Sequence, residues 1–137
     1  MILRFVPSLR SAIADQIIAA FDAGTGPAVA EFYTGTIPTN LGDALGAQVK
    51  LGTLTCSDPV ATQTAGVITF GTITQDNAAD ASGTAAWMYL KDSTGAIVAL
   101  GDVTDMEGDG FAKANTTTIV AGGPILISAL TINVGGA

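Results

Sequence analysis

The 137-residue sequence contains no histidine, one cysteine and few charged residues, which make up 12% of the chain. Without histidine there is no Ser-His-Asp or Cys-His nucleophile system and no His-ligated metal. The single cysteine, Cys56, permits neither an internal disulfide nor a Cys-based zinc site, and we expect it to be a small buried hydrophobe. Because enzymes need titratable groups tuned in a cleft, we predict that the protein is not an enzyme and uses no cofactor.

Positive charge is scarce as well, since 5 Lys and Arg face 12 Asp and Glu for a net charge of −7. Nucleic acids and anionic membrane surfaces are bound through clustered Lys and Arg. The five basic residues are scattered along the chain and form no patch: Arg4, Arg10, Lys50, Lys91 and Lys113. We therefore expect no nucleic-acid partner and no membrane partner.

Long apolar runs are also missing. The segment Met1 to Phe5 is too short for the apolar part of a signal peptide, and Pro7 and Arg10 interrupt the residues after it. The C-terminal segment 114–137 has no charged residue, but Asn, Thr and a Gly-Gly-Pro triplet interrupt it. A membrane-spanning helix needs about 20 predominantly apolar residues, so this segment is predicted to form two strands with a turn between them.

The hydrophobic periodicity that is present predicts one helix. Apolar residues recur every fourth position near the N-terminus, Pro7 suits a first helical turn, and Gly24 suits a C-terminal stop. We predict an amphipathic helix over residues 7–23. Its apolar stripe consists of Leu9, Ile13, Ile17 and Phe21, flanked by Ala12 and Ala20.

The rest of the chain alternates β-prone segments with turn signals at a spacing typical of antiparallel β domains. We predict a mainly β fold: a single domain over residues 1–137 with an antiparallel β-sandwich or jelly roll of seven to eight strands over 28–134. The two topologies share the same strand signals, and both stay open. The predicted strands cover 28–34, 47–56, 66–74, 84–91, 96–100, 116–121 and 125–134, with a loop over 102–115.

Two acidic groups are candidates for chemistry. Asp102, Asp105, Glu107 and Asp109 lie in a Gly-containing segment, and hard cations such as Ca²⁺ bind oxygen ligands from such loops. The spacing departs from the EF-hand pattern, so we predict no metal and a solvated loop, with a Ca²⁺-dependent glycan-binding module as the alternative. The pair Asp76 and Asp80 could in principle serve a glycosidic bond, but we predict that it forms a turn.

A set of short motifs spans nearly the whole chain in order. The sequence resembles small virion proteins of tailed phages, of the capsid decoration or cement type. The resemblance rests on Leu3-Arg4-Phe5 with Leu9-Arg10, Tyr33-Thr34-Gly35 with Pro38, Leu51-Gly52-Thr53-Leu54 with Asp58-Pro59, Ala81-Ser82-Gly83-Thr84-Ala85 with Trp87, Asn115-Thr116-Thr117, Val120-Ala121-Gly122-Gly123 and the alternating segment 125–134.

This resemblance implies a jelly-roll-like protein on the capsid exterior that stabilises the head by binding across capsomers of the major capsid protein. Repeated contacts around local symmetry axes favour a homodimer or homotrimer. A structural role in the tail, the baseplate or the head–tail connection is the alternative. The scarcity of charge predicts that apolar, Thr- and Ala-rich surface is covered by neighbouring proteins.

The predicted interface lies at the N-terminus, within Met1 to Arg10. Several apolar residues there fall outside the helix stripe and need a partner. The predicted contact residues are Leu3, Arg4, Phe5, Val6 and Arg10.

Overall fold

The computed structural model describes residues 1–135, so residues 136 and 137 of the predicted domain lie outside the described residues. One helix, α1, is followed by ten strands, which confirms a mainly β fold with an N-terminal helix. The elements are α1 Pro7–Phe21, β1 Val29–Tyr33, β2 Lys50–Thr55, β3 Ala61–Thr64, β4 Val67–Phe70, β5 Gly83–Thr84, β6 Trp87–Lys91, β7 Ile97–Thr104, β8 Ala112–Ala114, β9 Thr118–Ile119 and β10 Ile127–Asn133.

Eight strands form one curled sheet in the order β2-β1-β6-β7-β8-β10-β4-β3, and β5 pairs with β9 in a small second sheet. Neighbouring strands are antiparallel except β7 and β8, which run parallel through the pairs Val103–Ala112 and Thr104–Lys113. The sheet curls until its two halves enclose one core. The largest buried side chains of that core include Phe32, Leu51, Leu54, Ile68, Met88, Leu90 and Ile125.

Each of the seven predicted strand segments contains a strand, and the structure adds β3 and β8 outside them and the short β5 at the start of segment 84–91. The hairpin of β3 and β4 turns through Ala65 and Gly66, whose φ angles of 50° and 88° suit a two-residue hairpin turn. Ala-Gly is a weaker turn signal than Asn-Gly, so β3 escaped prediction. The loop predicted over 102–115 is wrong in part: β7 continues to Thr104, and β8 lies within it.

The helix follows the predicted start at Pro7 but ends at Phe21 rather than residue 23. Its buried face is rotated only partly from the predicted stripe: Phe21 is buried and Ile13 and Ile17 pack against the core as predicted, but Ala14 is buried too and Leu9 is 44% exposed. Ala12 and Ala20 are exposed too. The reason is tertiary: α1 packs on β3 and β4, and the ring of Phe21 meets that of Phe70 edge-on at 5.7 Å.

Within the part of the chain that the structure describes, no helix combines the length and the apolar composition needed to cross a bilayer.

Candidate interaction surface

The six residues before α1, Met1–Val6, belong to no helix or strand and form an N-terminal arm whose apolar side chains are exposed. Ile2 is 79% exposed, Leu3 61% and Val6 62%. Val6 has φ −61° and ψ 148°, as expected for a residue before proline. Phe5 contacts the rest of the domain, because its ring lies over Gly135. An apolar segment of this length exposed to water is typical of an interaction site.

The predicted interface residues separate into two environments. Leu3, Arg4, Phe5 and Val6 are all exposed in the N-terminal arm. Arg10 lies on α1, is half-buried, and passes so close to Gly66 that a Cβ there would be 2.7 Å from the Cβ of Arg10. Its Nε atom is buried without a hydrogen-bond partner. Arg10 is therefore a packing residue of the helix as well as a candidate contact.

A second exposed apolar segment is the connection between β1 and β2. Ile37, Leu41, Leu45 and Val49 are each between 38% and 55% exposed. Local hydrogen bonds hold this connection, among them one of 2.7 Å from Gln48 Nε2 to the carbonyl of Thr36 and one of 2.9 Å from the Asn40 N–H to Asp43. Apolar surface in this protein is thus concentrated in two irregular segments rather than spread over the strands.

The outer face of β1 and β6 contrasts with these two exposed apolar segments. It holds a charged and aromatic cluster, here called the aromatic face, in which the Tyr33 and Trp87 rings stack at 4.5 Å and Tyr89 meets Trp87 edge-on at 4.9 Å. Pairing of Tyr33 with Trp87 and of Glu31 with Tyr89 across the two strands creates the cluster. Its members are Glu31, Tyr33, Lys50, Trp87, Tyr89 and Lys91.

Glu31 is the electrostatic centre of the aromatic face. Its carboxylate lies 2.7 Å from Lys91 Nζ and 3.2 Å from Lys50 Nζ, and it accepts a hydrogen bond of 2.9 Å from the Tyr33 hydroxyl. Burial by itself raises the pKa of Glu31, but the bonds from Lys91 and Tyr33 and the two positive charges outweigh it and hold the pKa below its ordinary value. Burial and the bond to Glu31 raise the pKa of Tyr33.

Both carboxylate oxygens of Glu31 thus have partners within the aromatic face. The hydroxyl of Tyr89, in contrast, is buried without a hydrogen-bond partner. Sequence reasoning missed this cluster. A signal existed, because Trp87, Tyr89 and Lys91 alternate along one strand and must share a face, but the pairing with Glu31 depends on register between distant segments.

The four acidic candidates of residues 102–109 mostly stabilise their own turn. Asp102 Oδ1 accepts a hydrogen bond of 2.7 Å from the Phe111 N–H, and Asp105 Oδ1 accepts bonds of 3.1 Å from Glu107 and Gly108 N–H groups. Glu107 and Asp109 point to solvent. Among residues 1–135, no group of three or more potential metal-binding side chains has the geometry to hold an ion.

The pair Asp76 and Asp80 fastens the loop before β5 to β2. Asp76 Oδ2 accepts a hydrogen bond of 3.0 Å from the Thr53 N–H, and its other oxygen accepts one from Ala78. The N–H of Asp80 donates to the carbonyl of Leu51 at 2.7 Å. The Asp76 carboxylate is thus already engaged with backbone groups.

Cys56 is buried, and burial together with the nearby charge of Asp22 raises the pKa of its thiol to about 11. A thiol with such a pKa is almost entirely protonated near neutral pH and therefore a poor nucleophile.

Comparison of the chain with protein-family models, with curated proteins and with solved structures finds no match.

Proposed function

We propose that this protein is a structural component of a tailed-phage virion, a decoration or cement protein that binds the capsid exterior across capsomers of the major capsid protein. The proposal rests on the ordered motifs of the sequence together with one structural observation. That observation is the N-terminal arm, which exposes Ile2, Leu3 and Val6 although the domain behind it has a well-formed core.

The exposed arm supports a binding role because burial of apolar area is the main favourable term in most protein association. Full burial of one Leu or Ile side chain contributes roughly 1.5–3 kcal/mol. A binding protein of this kind would stabilise the shell by mass action, since it binds the assembled state and not the separated subunits.

The net negative charge of the chain also supports the proposed binding to the capsid. The chain carries a net charge of −7, which keeps the free subunit soluble and favours a basic surface on the partner. Such a partner surface, formed only after capsomers meet, would select the assembled shell over free coat subunits.

Quantitative mass spectrometry of purified virions from the genome that encodes this chain tests the proposal. A decoration protein is expected at on the order of hundreds of copies per particle, whereas about six or twelve copies would indicate a ring on the tail axis. Absence of the chain from the particle would overturn a virion role altogether.

A substitution pair then tests the arm. Leu3→Asp should reduce the number of copies retained by the particle, because it places a charge in the apolar contact. Val120→Asp is the matched control, since Val120 is 63% exposed and lies outside the arm. Equal retention of both variants would exclude the arm as the binding segment.

A further inference from the structure

In the curled sheet, β7 and β10 diverge on one side of β8. The gap between them is here called the fork. Strand β8 joins them only at one end, where Ala112 pairs with Val103 of β7 and with Leu130 of β10. Just before that row, the Phe111 N–H donates to the Asp102 carboxylate at 2.7 Å, so Phe111 lies beside Asp102. Among residues 1–135, no strand pairs with the remaining edges of β7 over 97–101 or of β10 over 131–133.

Two apolar grooves occupy this fork and run into each other, because Ala99 and Ile132 line both. One groove, of about 470 Å³, is bounded by α1 through Ile13, Ile17 and Phe21. The other, of about 560 Å³, continues past Leu100 and Phe111 to Asp102. The fork therefore combines unpaired backbone groups with apolar walls, which together favour an added strand.

The N-terminal arm has the properties of such a strand. It is neither helical nor part of a sheet, lacks proline over its six residues and exposes its apolar side chains. When extended, six residues span about 20 Å, which is enough to cover the edge of β7 over 97–101. An arm and a fork that each expose apolar surface are chemically complementary.

Charge is complementary too. The whole chain has a net charge of −7, and the arm contains Arg4 but no carboxylate, so the remaining residues carry −8. Asp102, at the mouth of the second groove, is exposed. A basic apolar arm is thus attracted to the acidic body of another copy.

We propose that the N-terminal arm of a second copy of this chain binds in the fork between β7 and β10 as an added strand. The donor and acceptor surfaces differ, so the contact closes either by reciprocal exchange in a dimer or around a ring. The contact involves only copies of this chain and therefore goes beyond the proposed virion role.

Sedimentation equilibrium of the purified protein is the first test. The wild-type chain should self-associate at micromolar to submillimolar concentrations, and Leu3→Asp should weaken that association by at least about tenfold, as expected for loss of one buried apolar anchor. Val120→Asp, the matched exposed control, should leave it unchanged. A monomer throughout the range, or equal weakening by both variants, would overturn the proposal.

Charge variants refine the same measurement. Arg4→Glu and Asp102→Asn should each weaken association, whereas Arg4→Lys should retain it. Asp102→Asn keeps an oxygen that accepts the Phe111 N–H, so its effect reports the lost charge. If Arg4→Glu associates as tightly as wild type, the arm does not bind through this acidic mouth.

Disulfide trapping identifies the acceptor. A Leu3→Cys chain mixed with a size-tagged Ala99→Cys chain should give a mixed disulfide-linked dimer under mild oxidation, and the native Cys56 contributes little because it is buried. The pair Leu3→Cys with Val120→Cys is the control. An equal yield from the control, or an intrachain link when Leu3→Cys and Ala99→Cys share one chain, would refute binding to a second copy.

These experiments need no capsid, so their outcome is independent of the virion measurement. Self-association without incorporation into particles would refute only the proposed function, and incorporation by a strictly monomeric chain would refute only arm exchange.

Discussion

The aromatic face and the N-terminal arm lie in one small domain and differ in how fully their groups are partnered. In the aromatic face, Glu31 has three polar partners and Trp87 is fully buried between two tyrosine rings. In the arm, Ile2 and Leu3 have most of their surface in water. Most polar groups of the first region are partnered within the chain, the Tyr89 hydroxyl excepted, whereas in the second only Phe5 packs against the domain.

This difference distinguishes groups that stabilise the fold from groups that are available for binding. Buried, mutually bonded groups stabilise a fold, and their removal costs free energy of unfolding. Exposed apolar groups contribute little to folding and become favourable only on association. Substitutions in the two regions should therefore separate cleanly into effects on unfolding and effects on binding.

The largest effect is expected for Trp87→Ala. Trp87 is fully buried, stacks on Tyr33 and donates from its Nε1 to the carbonyl of Thr34 at 3.1 Å. Removal of a buried tryptophan costs about 3–5 kcal/mol, measurable by urea denaturation followed by circular dichroism. Leu3→Ala is the control and should leave the midpoint unchanged. A loss below about 1 kcal/mol would mean that the aromatic face is not a stabilising cluster.

Glu31→Gln should have the next largest effect. The substitution leaves Lys91 beside a neutral group in a half-buried site, and hydrogen bonds to charged groups contribute about 1.5–3 kcal/mol. Lys50→Gln removes a partner whose side chain is 40% exposed, and an exposed pair contributes about 1 kcal/mol or less. Denaturation curves that rank Lys50→Gln above Glu31→Gln would contradict this description of the cluster.

The pH dependence of unfolding should reflect Glu31. The folded state holds its pKa below the ordinary value of 4.5, so the unfolded state binds more protons as the pH falls through that range. Stability is therefore fully present above about pH 6 and decreases below pH 5. Denaturation midpoints across this range should depend less on pH in Glu31→Gln. Some dependence should remain, since hydrogen bonds from Thr94 lower the pKa of Asp92 as well.

The smallest effect on folding is expected from the double substitution of Ile2→Ser and Leu3→Ser. Exposed positions usually change stability by less than about 0.5 kcal/mol, so the thermal midpoint of the dilute protein should not move. Binding of a hydrophobic dye should fall, because the arm is a main exposed apolar segment. A lowered midpoint would show that the arm stabilises its own domain.

Local patterns predicted much of the architecture. Apolar residues at every fourth position near the N-terminus predicted α1. Each predicted β segment contains a strand, because alternation and turn residues are local properties. The same reasoning missed β3, β8 and the extension of β7 past Leu100. Glycine and acidic residues there are typical of a loop, but pairing of Met88 with Gly101 and of Trp87 with Asp102 continues the strand.

The exposure of the N-terminal arm follows from the sequence for a related reason. Leu3, Phe5 and Val6 fall outside the helix stripe, and a segment before Pro7 cannot join the helix, so their exposure is explained by local rules. The rotated face of α1 was not predictable in this way. Its buried side depends on the strands that it meets, β3 and β4, which lie some forty residues further along the chain.

The amino-acid sequence alone thus determined the β-rich class, the N-terminal helix and the apolar arm, because these depend on the order of neighbouring residues. Only the tertiary structure decided that Glu31 lies between Lys50 and Lys91 and that β7 and β10 diverge into a fork. Both features arise from strand order and register. Register is set by contacts between segments far apart in the chain, and no local pattern specifies those contacts.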